Sequence, residues 1–250
     1  MSPPEPDWFA DESFWEAYGP LMFDEKRWAE VPAVVDKIEK LASLESGATI
    51  YDACCGVGRH SIEFASRGYR VTGLDLTSSY LDAARESAEA WGVDIEFLRG
   101  DIRTFVRPGI FDLCVNLFTS FGYFASPSED LRALVSFHQS LRPGGTLVLE
   151  TVGKETAVRD FTEGEWFERL GWTVLTEFKP VDSWAGLLTR WILLKDDERI
   201  DRSFVQRLYS GSEMRAALSE AGFREIGIFG DMDLNPYDQN AMSLVAVARA

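Results

Sequence analysis

The chain is most constrained by the stretch Thr49-Ile-Tyr-Asp-Ala-Cys-Cys-Gly56-Val-Gly58-Arg-His-Ser61 and the Tyr69-Arg-Val-Thr-Gly-Leu-Asp75 that follows it. A short apolar run between Gly47 and Gly56 reads as a buried strand, and Ser61 to Ser66 reads as the start of the next helix. Gly56 and Gly58 lack Cβ atoms, so the connection can turn sharply, let a ligand approach its backbone, and aim free N–H groups at an anion. A second strand, Arg70 to Leu74, ends in Asp75, nineteen residues after Gly56. An acid at that distance, at the tip of the second strand, is placed to hydrogen-bond ribose hydroxyls. An adenosine-containing ligand is the first to consider.

Asp52-Ala-Cys-Cys-Gly56-Val-Gly58 followed by Gly73-Leu-Asp75 resembles the cofactor-binding signature of class I S-adenosylmethionine-dependent methyltransferases, of the small-molecule type. A dinucleotide-binding turn asks for glycine or alanine where this chain has Ser61, which counts against NAD. The resemblance implies a doubly wound α/β fold with a mostly parallel seven-stranded sheet and an antiparallel last strand. It also implies S-adenosyl-L-methionine as cofactor and S-adenosyl-L-homocysteine as product. The cofactor site it implies takes in Asp52, Gly56, Gly58, Arg59, Asp75, Leu76, Asp101, Ile102, Asn116 and Leu117. Within it, Gly56, Gly58 and Arg59 hold the methionine end and Asp75 the ribose. Asp101 accepts from the adenine amino group, and Asn116 opens onto the transferable methyl.

Two hundred and fifty residues suit one α/β domain with an insertion, and 46% hydrophobic residues agree with a globular chain. We divide the domain into an N-terminal lid or cap (1–45), a cofactor-binding half (46–153), an antiparallel β insertion (154–210) and the end of the core sheet (211–250). A net charge of −16, with no cluster of Lys and Arg, repels phosphate backbones and argues against nucleic acid. The first seven residues have neither a basic start nor an apolar core, and no run approaches 18 apolar residues, so a cytoplasmic protein without membrane contact is expected. Three cysteines, two of them adjacent, fit neither a disulfide framework nor a zinc site; no metal is expected.

Ahead of the first strand, Trp8 to Trp28 is dense in aromatics, with Pro20 breaking the middle, and Phe14, Trp15 and Tyr18 share one helical face. This segment either clamps the sheet or closes over the cofactor; Trp15 and Tyr18 are the lid candidates, Tyr18 also a catalytic one. Glu30 to Leu44 is an amphipathic covering helix. The run Asn116-Leu-Phe-Thr-Ser120-Phe121-Gly-Tyr123-Phe leaves the fourth strand and resembles the acceptor-side loop of small-molecule methyltransferases. Tyr123 is the first catalytic candidate, with Trp15, Ser120, Phe121 and, in a later loop, Tyr237 lining the acceptor pocket. Period-two alternation in three runs between Trp166 and Tyr209 predicts a three-stranded antiparallel addition, serving as a substrate roof or as a homodimer surface. No strong general base is visible, which favours an amine or thiol acceptor over an alcohol. The competing readings are an RNA or protein methyltransferase, an NAD-dependent oxidoreductase, and a non-catalytic binder of the cofactor.

Overall fold

A computed structural model describes residues 8–250. The seven residues on which the expectation of no leader rests lie outside the described residues. The central sheet has seven strands: β1 (Thr49–Ala53), β2 (Arg70–Asp75), β3 (Glu96–Arg99), β4 (Phe111–Asn116), β5 (Leu141–Thr151), β10 (Arg224–Phe229) and β11 (Leu244–Arg249). Their spatial order is β10-β11-β5-β4-β1-β2-β3, and β11 runs opposite to the other six. This is the expected doubly wound sheet with a reversed last strand.

Side chains alternate across the sheet, so each strand serves two cores. Ile50, Leu113, Val115 and Val148 point to the face covered by α2 (Glu25–Ala42) and α3 (Arg59–Ser66). Tyr51, Cys114, Leu147 and Leu149 point to the face covered by α5 (Pro127–Ser140) and α7 (Gly211–Glu220). Both of the latter helices begin with a serine–glutamate capping box, Ser126 with Glu129 and Ser210 with Glu213, which satisfies donors that the first turn leaves free. The helix α4 (Ser78–Trp91) ends on left-handed Gly92.

Three expectations need correction. Pro20 does not break the N-terminal segment: α1 runs Glu12–Met22 with the proline in its last turn, and the break comes at Phe23–Asp24. The covering helix starts at Glu25 rather than Glu30, because the Asp24 carboxylate accepts the Arg27 N–H and nucleates a polar first turn that carries no apolar period. The insertion has four strands, not three: β6 (Gly164–Arg169), β7 (Trp172–Val181), β8 (Gly186–Lys195) and β9 (Glu198–Arg207). The strand missed in the sequence, β6, is exposed along almost all of its length and shows no apolar alternation. Its register is set by Leu170 and Gly171, both at positive φ as a two-residue hairpin turn needs.

The insertion folds over the N-terminal segment. Phe14, Tyr18 and Leu21 of α1 pack on Val174 and Leu193 from β7 and β8, forming a satellite core of their own. Among the described residues no helix is long and apolar enough to cross a membrane, and no group of three or more metal-ligating side chains occurs.

Candidate active site

The C-terminal ends of β1, β2, β3 and β4 open on one edge of the sheet, and the order turns back at the β4–β1 pair, where open α/β sheets place their ligands. A cavity of about 400 Å³ lies there. At its strand-end wall stand Asp52 in β1 with Cys54 and Gly56 after it, Asp75 at the end of β2 with Leu76 after it, Asp101 and Ile102 after β3, and Leu117 to Ser120 after β4. The sequence thus places its acids at three neighbouring strand tips because each strand ends at the same level.

Asp75 spans the glycine turn. Its carboxylate accepts the Gly56 N–H at 2.8 Å and the Thr77 N–H at 2.9 Å, while burial pushes its pKa up. Gly56, at φ 56°, borders the cavity. Gly58 does not: at φ 76° it begins α3, and a Cβ there would lie 2.9 Å from both Ala84 Cβ and Phe97 Cζ. Its missing side chain lets α3 sit against α4 and β3, so a packing demand accounts for it. Asp52 is 3% exposed, accepts the Ser61 hydroxyl at 2.6 Å, and is raised to about 6 by burial. Burial also pushes the Asp101 carboxyl up, but a fork of hydrogen bonds from Arg103, at 2.6 to 3.1 Å, holds it below its ordinary value.

The β4 side of the cavity is cationic. Arg59 is 4% exposed, donates to the Arg27 carbonyl at 3.0 Å, and lies with its guanidinium carbon 3.9 Å from the Phe118 ring centroid. Burial, reinforced by the Arg27 charge, lowers it to about 10, so it stays charged at neutral pH. Among the described residues no carboxylate pairs with it at ion-pair distance. His60 beside it is 5% exposed, its Nε2 has no hydrogen-bond partner, and burial together with the Arg59 charge lowers its pKa to about 3. Phe118 and Thr119 both hold left-handed backbone, φ 54° and 63°. Glu150 of β5 fixes them: its carboxylate accepts the Phe118 N–H and its carbonyl the Thr119 N–H, each at 3.3 Å. Asn116 is fully buried behind this wall, its Nδ2 donating to the Ala53 carbonyl.

The remaining wall is aromatic and comes from both ends of the chain: Phe9, Trp15 and Phe23 from the N-terminal segment, Tyr80 from α4, Tyr123 from the β4 exit loop, Phe167 and Trp191 from the insertion. Trp15 is fixed by its indole N–H on the Phe9 carbonyl at 2.7 Å, and its own carbonyl accepts the Tyr80 hydroxyl. Arg169 of β6 donates to the Leu21 carbonyl at 2.8 Å, tying the insertion to the end of α1. The insertion therefore supplies part of the cavity wall.

Several expected site residues stand elsewhere. Tyr18 is 1% exposed, stacked on Phe14 at 4.3 Å and against Trp191 at 5.0 Å, outside the cavity wall. Residues 14 and 18 point to the insertion, whereas Trp15, one position and about 100° further round the helix, faces the cavity. Phe121 is core, packed on Tyr209. Tyr237, on a separate loop, donates to Glu155 at 2.8 Å. In turn Phe9, Met22, Arg27, Tyr80, Phe167, Arg169 and Trp191 line the cavity with no local motif to announce them. Only the aromatic density of 8–28 hinted at the first of these.

The sheet order with its reversed strand is the fold of class I, Rossmann-like methyltransferases. Residues 50–145 match the methyltransferase domain family model. A Geobacillus sp. (strain WCH70) protein named as a provisional methyltransferase is 28% identical over 228 residues, covering 88% of this chain and 91% of that one. The dTDP-3-amino-3,4,6-trideoxy-alpha-D-glucopyranose N,N-dimethyltransferase of Streptomyces venezuelae is 30% identical over 122 residues, about half of each chain at 49%. The crystal structure of an S-adenosylmethionine-dependent methyltransferase from Clostridium acetobutylicum ATCC 824 superposes with a TM-score of 0.77 at 14% identity, covering 95% of this chain and 97% of that one. The chain thus carries a methyltransferase domain over residues 50–145, in a fold that it shares with S-adenosylmethionine-dependent methyltransferases.

Proposed function

We propose that the enzyme methylates a small-molecule amine in the aromatic half of the cavity. The observation that carries this reading is the separation of the wall into two chemistries. Every acid in it, Asp52, Asp75 and Asp101, stands at a strand tip in the half read as the cofactor's, while the other half presents aromatic rings. The bound sulfonium supplies an electrophilic methyl, so the protein's task is to align the acceptor and exclude water. An amine in apolar surroundings is driven toward its neutral, nucleophilic form without a protein base, whereas a buried thiol is driven away from its thiolate. The side chains nearby are poor bases: His60 is held near 3, and burial pushes the Tyr123 phenol far up. Tyr123 then serves to position the acceptor with Trp15, Ser120 and Trp191.

The residues present fit the cofactor. The unpaired Arg59 guanidinium, buried beside the β4 end, meets a carboxylate, and a buried cation of this kind is costly until an anion joins it. Asp75 and Leu76 flank the ribose, and Asp101 and Ile102 the adenine. The likeness to an amino-sugar N,N-dimethyltransferase makes sugar amines the first acceptors to screen, ahead of thiols and alcohols. The roofed cavity and the net charge of −16 favour a small acceptor over RNA or a protein chain.

Titration calorimetry with S-adenosylhomocysteine, S-adenosylmethionine and NAD tests the site. We expect micromolar binding of the first two and none of NAD, with affinity reduced at least ~100-fold in Asp75→Ala, which also frees two backbone donors. Binding of NAD alone, or undiminished binding by the variant, defeats the assignment. A panel of amines that yields no methylated product, beside a thiol or alcohol that does, defeats the acceptor reading. A homodimer through the outer face of the insertion, where Trp166 is 69% and Leu170 61% exposed, is a separate proposal that sedimentation at two concentrations decides.

A further inference from the structure

His60 is a polar side chain without a use inside the protein. It occupies the second position of α3, is 5% exposed, borders the cavity, and its ring lies 5.4 Å from Phe118. Its Nε2 has no hydrogen-bond partner, and a buried polar atom left unpaired costs about 1–3 kcal/mol. A neighbour one residue away, Arg59, is a buried cation, so a second positive charge on the imidazole is opposed; the ring stays neutral and keeps one nitrogen with a free lone pair. A core packing role would be met by an apolar ring.

Topology says which end of the ligand comes here. Asp75 ends β2 and Asp101 follows β3, so the adenosine lies on that side, and its amino-acid tail runs across β1 toward β4. His60, Arg59 and Phe118 are at that β4 end. The tail carries one anion and one cation, a carboxylate and an α-ammonium. Arg59 takes the carboxylate by charge, which leaves the ammonium, with three N–H donors, for the acceptors close by.

We propose that the neutral imidazole of His60 accepts a hydrogen bond from the α-ammonium of the cofactor, sharing that group with Asp52. His60 is thus a cofactor-binding residue that reads the amino group, an assignment that rests on the methyltransferase reading above. It makes this end of the cavity a zwitterion site, built of one buried cation, Arg59, and two buried acceptors, His60 and Asp52.

Three ligands separate the possibilities by calorimetry: S-adenosylhomocysteine, its analogue that keeps the carboxylate but lacks the amine, and 5′-methylthioadenosine, which lacks the whole tail. For His60→Phe, affinity for S-adenosylhomocysteine should fall about tenfold, one charge-assisted hydrogen bond, while affinity for the other two stays within twofold of wild type. His60→Gln, which keeps an acceptor oxygen, should recover most of the loss and serves in place of the phenylalanine variant if that one does not fold. Unchanged affinity of both variants for S-adenosylhomocysteine overturns the proposal, and so does an equal loss for all three ligands, which would make His60 a support of the turn. Failure of the wild type to bind any of the three removes the cofactor site itself, a result distinct from either.

Discussion

Asp52 is an acid that folding places out of water with a single hydroxyl for company, and its proton equilibrium shows the consequence. In the unfolded chain it titrates near 3.8; folded, burial first and the nearby Asp75 charge after it hold the proton to about 6, against the Ser61 hydrogen bond. Below 3.8 both states are protonated, so the group's contribution to stability is fully present there; it is lost as pH rises through 6, where the folded protein must ionise a buried carboxyl. Asp52→Asn keeps an acceptor for Ser61 and never ionises. Its stability relative to wild type should therefore climb between pH 4 and 7, by up to about 3 kcal/mol, in urea titrations at each pH. A pH-independent difference would show that Asp52 titrates normally. Gly58 teaches the complementary lesson: its spacing from Gly56 is what a ligand turn requires, yet the space it vacates is filled by Ala84 and Phe97.

Among the elements, the exit loop of β4 is the one built against its own preferences. A β-branched residue at φ 63° costs of the order of 1–3 kcal/mol, and Thr119 holds that conformation between the Glu150 clamp and the cavity. Thr119→Gly should relieve it and raise the urea midpoint, a gain of about 1 kcal/mol after glycine's entropy, while turnover falls several-fold as the wall loosens. A lowered midpoint would mean that the threonine side chain contributes more than its backbone costs. Helix ends with explicit caps carry a local signal: Gly92 stops α4, and Ser126 with Glu129 opens α5. The strand β6 was not legible, because an edge strand exposed along most of its length buries only Phe167 and needs no apolar alternation; its pairing with β7 specifies it.

At the level of the whole molecule, the cavity is closed by segments more than a hundred residues apart, the N-terminal aromatic run and the insertion, joined where Arg169 meets the Leu21 carbonyl. If the insertion is the acceptor's roof, Trp191→Ala should leave affinity for S-adenosylhomocysteine within twofold and raise the acceptor's KM about tenfold, the loss of one buried aromatic contact. Equal weakening of both would place the cofactor under the same roof. The doubly wound sheet, its reversed last strand and the place of Asp101 followed from the family that the motif resembles; by itself the sequence determined the first strand, the glycine turn and the acid that ends the second strand, Asp75. Those follow from local signals, since a glycine turn, a buried apolar run and an acid at fixed spacing act over a few residues of continuous backbone. Only the tertiary structure decided which aromatics face the ligand: it turned Trp15 inward and Tyr18 away, buried Phe121, sent Tyr237 to Glu155, and brought Phe167 and Trp191 over the site. An aromatic side chain carries the same apolar signal whether it fills a core or walls a cavity, and the choice is made by the packing of distant elements, on which the local chain is silent.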